Sequence, residues 1–261
     1  KYALVGHYLT AVLNCSHLFD QLPNPMSNRF RSVLSQAFKY AISKGLRYPR
    51  NDNPVDPTII KPEEVKRQRL SLEGFHKIFP HASRVTQNAM LLSLHTLQRE
   101  ADICNFKRKD IKEGNLCFQQ QKSGEIRGQR YITRVRITPT VKMILNRCKD
   151  GILSPYIIHN SYQSKKKLWG KQMSPNSISQ GFTRARERSG FYADLKPEGR
   201  PTFHEIRALG ADLYKKGGMA EKYIKDMLGH KNIDMTKYYL SGHDVVYIDI
   251  MNAGLNIEIP K

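Results

Sequence analysis

Apolar side chains recur at three- and four-residue intervals through most of the chain, and at two-residue intervals in one central stretch. From Ser27, helical spacing puts Phe30, Val33, Leu34, Ala37, Phe38, Ala41 and Ile42 on one face of a helix ending near Gly45. Val85, Ala89, Leu92 and Thr96 keep the same spacing in "RVTQNAMLLSLHTLQRE", and "EADICNFKRKDI" resumes it. Alternation then takes over in "NLCFQQQ" and "YITRVRIT", where Tyr131, Thr133, Val135 and Ile137 share a face. The intervening "KSGEIRGQ" reads as the turn of a hairpin. Ser174-Pro175 supplies a cap and a first-turn proline for another helix, which carries Arg184 and Arg188 on one side. Thr202 and Glu205 have the spacing of a capping box for the next. "MAEKYIKDML" is a further helix, and Gly229 can take the left-handed conformation that closes it. The tail "VVYIDIMNAGLNIEIPK" holds two strand-like runs too apolar to stay free in water, so residues 245–260 are expected on a sheet edge, in their own chain or a neighbour's. The fold class is mainly α with a small antiparallel β-sheet (α+β).

One break divides the pattern. "RYPRNDNPVDPTIIKPEEVKRQR" holds four prolines among many charges and cannot be regular structure throughout. The expected organisation is a helical part at 1–55, a linker at 56–69 and a larger part at 70–261.

Charge then narrows the function. Lys and Arg number 43 against 23 Asp and Glu in 261 residues, a net charge of +20. Such an excess repels itself unless a polyanion neutralises it, which points to nucleic acid. Both parts share it: residues 1–60 hold seven basic and three acidic side chains, leaving +16 for the rest. No apolar run reaches membrane-spanning length. Cys15, Cys104, Cys117 and Cys148 form no metal-binding spacing and read as reduced, partly buried thiols. His76 and His81 have no cysteine or carboxylate cluster nearby in sequence, so no metal site is expected.

Residues 202–242 concentrate groups suited to proton transfer and phosphate binding. His204 and Arg207 stand three apart, on one face of their helix, while Phe203, Ile206, Leu209 and Leu213 are expected to fix the opposite face to the core. A guanidinium offers a planar fork to two phosphate oxygens, and an imidazole adds a donor or a proton carrier. His230 follows the Gly229 cap, and Tyr238 and Tyr239 follow it. Each is ordinary alone; the ordered set is not.

"TFHEIRAL", "LGHKNIDMTKYY" and the upstream "TLQREADICNFKRKDI" resemble, in order, the tyrosine recombinases of the phage-integrase branch. That resemblance implies a helical core-binding domain, incomplete here, followed by a catalytic domain. It implies an enzyme that cleaves and rejoins DNA strands through a 3′-phosphotyrosyl intermediate, with no cofactor and no metal. It also implies roles. Arg99 and Arg207 would clamp the phosphate, His204 would donate to it or take the tyrosine proton, and His230 would donate to the same group. Lys122 would protonate the leaving 5′-oxygen, and Asp102 would support the site. The family places its nucleophile nine residues after the LGH histidine and three after a threonine; from His230 and Thr236 this gives Tyr239, not Tyr238. Leu97 departs from the family, which usually has glycine two residues before the first arginine. The implied partners are double-stranded DNA at attachment sites, a homo-tetramer on synapsed DNA and accessory DNA-bending proteins, in the cytoplasm of a prokaryotic host, with no membrane. The rivals are a type IB topoisomerase, a non-catalytic DNA-binding relative and a helix-turn-helix regulator; none but the first accounts for the ordered Arg, Lys, His, Arg, His and Tyr positions.

Overall fold

The computed structural model describes residues 2–46, 53–62, 67–121, 125–126, 129–161, 169–229, 246–250 and 255. The chain forms two compact units, Lys1–Lys66 and Arg67–Lys261.

In the smaller unit, α1 (Tyr2–Asp20) packs on α2 (Asn24–Ser43). The first helix has no counterpart in the sequence expectations, and the second begins three residues before Ser27, with Pro25 in its first turn. Phe30 and Val33, expected on the packed face of α2, are exposed in this unit. Part of the expected linker is bound to α2 rather than free. Arg31 donates to the carbonyls of Val55 and Thr58, Asn28 and Lys61 exchange hydrogen bonds, and Asn24 donates to the Pro62 carbonyl. Polar side chains of α2 thus satisfy the backbone of a proline-rich strap that cannot form its own ladder.

The larger unit is built on short helices: α3 (Leu72–Ile78), α4 (Arg84–Thr96), α5 (Glu100–Asn105), α6 (Pro139–Arg147), α7 (Pro175–Ser189), α8 (His204–Lys216) and α9 (Glu221–Leu228). Ser71, Ser83, Thr138 and Ser174 each accept a hydrogen bond from the backbone N–H three residues on, so α3, α4, α6 and α7 start where their caps dictate. The expected capping box of α8 is absent. Thr202 contributes only its backbone carbonyl, to the Glu205 N–H, and the Glu205 carboxylate accepts instead from Arg69 at 2.9 Å. Phe203 begins α8 by burial, 1% exposed and edge-on to Phe182.

Four strands pair antiparallel: β1 (Ile111–Lys112), β2 (Asn115–Phe118), β3 (Glu125–Ile126) and β4 (Gln129–Arg136), in the order β1-β2-β4-β3. The stretch expected to be a plain hairpin turn therefore contains a short strand of its own. A fifth strand, β5 (Val246–Ile250), pairs with β4 in parallel, Tyr131 opposite Val246 and Val135 opposite Ile250. The sheet is thus mixed, not purely antiparallel, and this part of the tail docks on its own chain. The "LNIEIP" run lies outside the described residues except Leu255, which is buried in the core.

The core gathers the apolar faces of the helices and one side of the sheet. Tyr131, Thr133 and Val135 are buried as alternation requires, and Phe118 meets Phe106 with ring centroids 4.6 Å apart. Cys104 and Cys148 lie in this core as free thiols whose pKa burial pushes up to about 12, too high for nucleophilic use. Among the described residues no helix is long and apolar enough to cross a membrane.

Candidate active site

The close crossing of α4 and α8 positions the site. A Cβ on Gly210 would lie 2.4 Å from the Leu94 carbonyl oxygen and 2.6 Å from Leu97 Cδ2, so only glycine lets α8 rest on the end of α4. One turn further along α8, Tyr214 donates to the His95 carbonyl at 2.7 Å. α4 then stops at Leu97, which adopts φ 55 and ψ 26, the left-handed conformation usual for glycine at a helix end. Leucine bears that cost because its side chain is fully buried against α8. The chain turns, and Arg99 begins α5 as its N-terminal flanking residue.

This turn brings Arg99 close to the first turn of α8, where His204 and Arg207 sit. Arg207 is 4% exposed, a buried cation. Its Nη2 donates to the Leu228 carbonyl at the end of α9, while Nη1 has no hydrogen-bond partner among the described residues. Arg99 Nη1 has none either and lies 4.0 Å from Asp102 Oδ2. Burial first, and the Arg99 charge second, lower the Arg207 pKa to about 10; Asp102 opposes them. Arg207 therefore stays charged at neutral pH, at a cost that a bound anion would remove. His204 has its pKa lowered, by partial desolvation first and then by Arg207, which keeps the imidazole neutral and able to accept a proton. His204, Arg207, Arg69 and Leu228 line an open cleft of about 570 Å³. The N-terminus of α8 adds its own positive potential there.

Asp102 is 2% exposed and ties the site to the sheet, its Oδ1 accepting from the Gln121 N–H at 2.8 Å. Gln121 immediately precedes Lys122. Of the expected site residues, Arg99, Asp102, His204 and Arg207 are thus brought together. Lys122, His230, Tyr238 and Tyr239 lie outside the described residues. Gly229, next to His230, takes the expected left-handed conformation, φ 60 and ψ 35.

Two residues here were missed in the sequence, Gln98 and Gln120. Both are buried, and Gln120 Nε2 donates to Gln98 Oε1 at 2.7 Å. A signal existed: Leu116, Phe118 and Gln120 keep one period-two register, so the glutamine occupies a place where alternation calls for an apolar side chain.

Comparison with known proteins identifies the family and the fold on which this arrangement is built. A family model described as the phage integrase family matches residues 66–244. The integrase of Enterobacteria phage P21 is 33% identical over 236 residues, which cover 88% of this chain and 60% of that protein. The integrase of Escherichia phage lambda is 34% identical over 215 residues, covering 80% of this chain and 56% of that protein. The chain therefore spans somewhat more than half the length of these relatives. Among solved structures, a lambda integrase (75–356) dimer bound to a COC′ core site superposes with a TM-score of 0.68 at 29% identity, over 87% of this chain and 80% of that one. A lambda integrase tetramer bound to a Holliday junction gives the same TM-score and identity, over 87% of this chain and 65% of that one. With two arginines converging beside a histidine on the fold those structures share, the chain belongs to the phage integrase family.

Proposed function

We propose that this chain is the catalytic part of a site-specific recombinase that cleaves and rejoins double-stranded DNA through a tyrosine–phosphate intermediate. The observation that carries the reading is the pairing of Arg99 and Arg207, each with a buried Nη1 free of hydrogen bonds among the described residues, at the mouth of a helix N-terminus. Two guanidiniums share the single carboxylate of Asp102, and their unbonded Nη1 groups leave room for a second anion, which a phosphodiester supplies.

The chemistry follows from that geometry. Arg99 and Arg207 hold the non-bridging oxygens and offset the extra charge of the five-coordinate phosphorus. The Tyr239 oxygen attacks phosphorus, giving its proton to neutral His204. The bond from phosphorus to the 5′-oxygen breaks, and Lys122 delivers a proton to that oxygen. His230 donates to the phosphoryl group. One phosphoester replaces another, so reversal by a 5′-hydroxyl needs no outside energy source. Asp102 orients Arg99 and the backbone just before Lys122. The two helices of the smaller unit are the DNA-binding partner domain. The relatives crystallised on core sites and on a Holliday junction support attachment-site DNA as substrate and a homo-tetramer as the working assembly. Accessory DNA-bending proteins and the cytoplasm of the host cell complete the proposed setting.

The test uses duplexes selected for binding from a random-sequence pool, then nicked beside the cleavage position so that the adduct is trapped. Tyr239→Phe should abolish the covalent adduct and leave affinity within about twofold, since no charge is lost. Loss of the adduct in Tyr238→Phe instead would assign the nucleophile to the neighbouring residue. Relaxation of supercoiled plasmids without any selected site would favour a topoisomerase.

A further inference from the structure

Gln98 is fully buried and Gln120 is 3% exposed. Burying a carboxamide is costly unless its groups are bonded, and a leucine or methionine would fill the same space without that cost. The partners of the two amides are therefore informative. Gln98 Nε2 donates to the Thr96 carbonyl at 2.8 Å and to the Met227 carbonyl at 2.8 Å. Gln98 Oε1 accepts from Gln120 Nε2. The other end of the Gln120 carboxamide occupies the space over Gly229: a Cβ there would lie 2.0 Å from Gln120 Oε1.

These contacts join three remote segments, and each segment leads directly into an expected site residue. Gln98 precedes Arg99. Gln120 and Gln121 precede Lys122, and Met227 and Gly229 precede His230. The ladder explains why the second segment needs such a hold. Phe118 pairs with Thr133 and Glu125 with Arg130, so six residues, 119–124, stand against two of β4. The surplus cannot stay in the ladder. Residues 119–121 have left it, and the Gln120 amide and the Asp102 bond to the Gln121 N–H help to fix them.

We infer that Gln98 and Gln120 are positioning residues, a buried carboxamide relay that sets Lys122 and His230 in register with Arg99. The inference rests on the reading of Lys122 as the acid that protonates the leaving oxygen. It assigns the pair no contact with DNA. A packing role alone would lower stability without caring which step of the reaction is difficult; a positioning role slows most the step that depends on Lys122.

The experiment is single-turnover cleavage of the nicked duplex by the full chain, with an ordinary phosphodiester or with sulfur in place of the bridging 5′-oxygen. Sulfur leaves without protonation. Gln98→Met and Gln120→Met keep volume and remove the amides. Each should slow the ordinary substrate roughly 10- to 100-fold, with DNA affinity within about twofold. On the sulfur substrate Gln120→Met should return to within a few-fold of the parent chain. The double variant should be no slower than the slower single one, because both break one relay. Should Gln120→Met fail to fold, Gln120→Asn keeps the amide but withdraws it from Gln98, and the same comparison applies. Equal slowing on both substrates, or no slowing, overturns the relay. Lys122→Ala is the control for the underlying reading: if sulfur does not restore it, Lys122 is not the acid and the inference falls with it.

Discussion

Leu97 holds a backbone conformation that glycine adopts at less cost, and it does so with a side chain fully removed from solvent. The two effects are separable. Truncating a buried leucine costs about 2–5 kcal/mol, whereas a left-handed residue with a Cβ costs about 1–2 kcal/mol relative to glycine. Leu97→Ala and Leu97→Gly should both lower the urea midpoint, with the glycine variant no less stable than the alanine one. A clearly weaker glycine variant would mean the φ of 55° carries no strain. Arg207 presents a different division of labour. One terminal nitrogen donates to the Leu228 carbonyl and the other is left for an anion. A lysine is a point charge and cannot serve both. Arg207→Lys should therefore cut single-turnover cleavage by roughly 100-fold or more while duplex affinity changes only a few-fold. Near-parental cleavage would remove Arg207 from the reaction. His204 and Arg207 were visible in the sequence because helical spacing alone projects them together, and Arg99 only through the resemblance of its segment to the family. Gln98 and Gln120 were not, because glutamine is usually a surface residue; their meaning comes from partners 22 and 129 positions away.

Four helices of the larger unit begin where Ser or Thr caps them, and the Ser174-Pro175 pair made the start of α7 readable from local residues. The start of α8 was misread because its Glu205 is claimed by Arg69, 136 positions distant. The direction of β5 was equally unreadable: its apolar pattern asks for burial but does not say beside which strand. Packing of α8 on α4 gives two tests. Gly210→Ala puts a methyl group against the Leu94 carbonyl oxygen, so the helices must separate, at a cost of about 1–3 kcal/mol. Cleavage should fall more than this stability loss explains, because Arg207 lies one turn away. Unchanged melting and cleavage would contradict the close contact. His95, near the end of α4, is buried, and desolvation lowers its pKa from 6.5 to about 4. Between those values the unfolded chain binds a proton that the folded one refuses. Stability from this source is therefore complete above pH 6.5 and declines as pH falls, by roughly 3 kcal/mol below pH 4. Urea midpoints of His95→Gln should show a shallower acid decline than those of the parent. Parallel curves would show that His95 accepts its proton without penalty.

A net charge of +20 spread over both units makes phosphate contacts the dominant part of the proposed DNA affinity. If six or so phosphates are neutralised, binding should weaken roughly 10³-fold between 50 and 200 mM salt; a flat titration would exclude such a footprint. The tail makes a subtler demand. Residues 230–245, which include Tyr239, run between two anchors: Gly229, beside the Gln98 bond to Met227, and Val246, the first residue of β5. β5 is held along its length by a parallel pairing with β4 from Tyr131 to Val135, on the same strand whose other end pairs with β3. If Tyr239 is the nucleophile as proposed, a segment tied at both ends lets it explore less space than one tied at a single end, and the difference is entropic. Removing residues 246–261 releases one anchor without touching Arg99, His204 or Arg207. Affinity for a single duplex should therefore stay within about twofold, since the cleft and most of the basic charge remain. The ratio of trapped adduct to rejoined product should change several-fold, because cleavage and ligation place different demands on where the tyrosine oxygen rests. Both quantities can be read on one nicked duplex, by gel shift and by denaturing gel. If the shortened chain gives the parental ratio, the β5 anchor serves only to cover the edge of β4, and the position of Tyr239 is set from the Gly229 side alone.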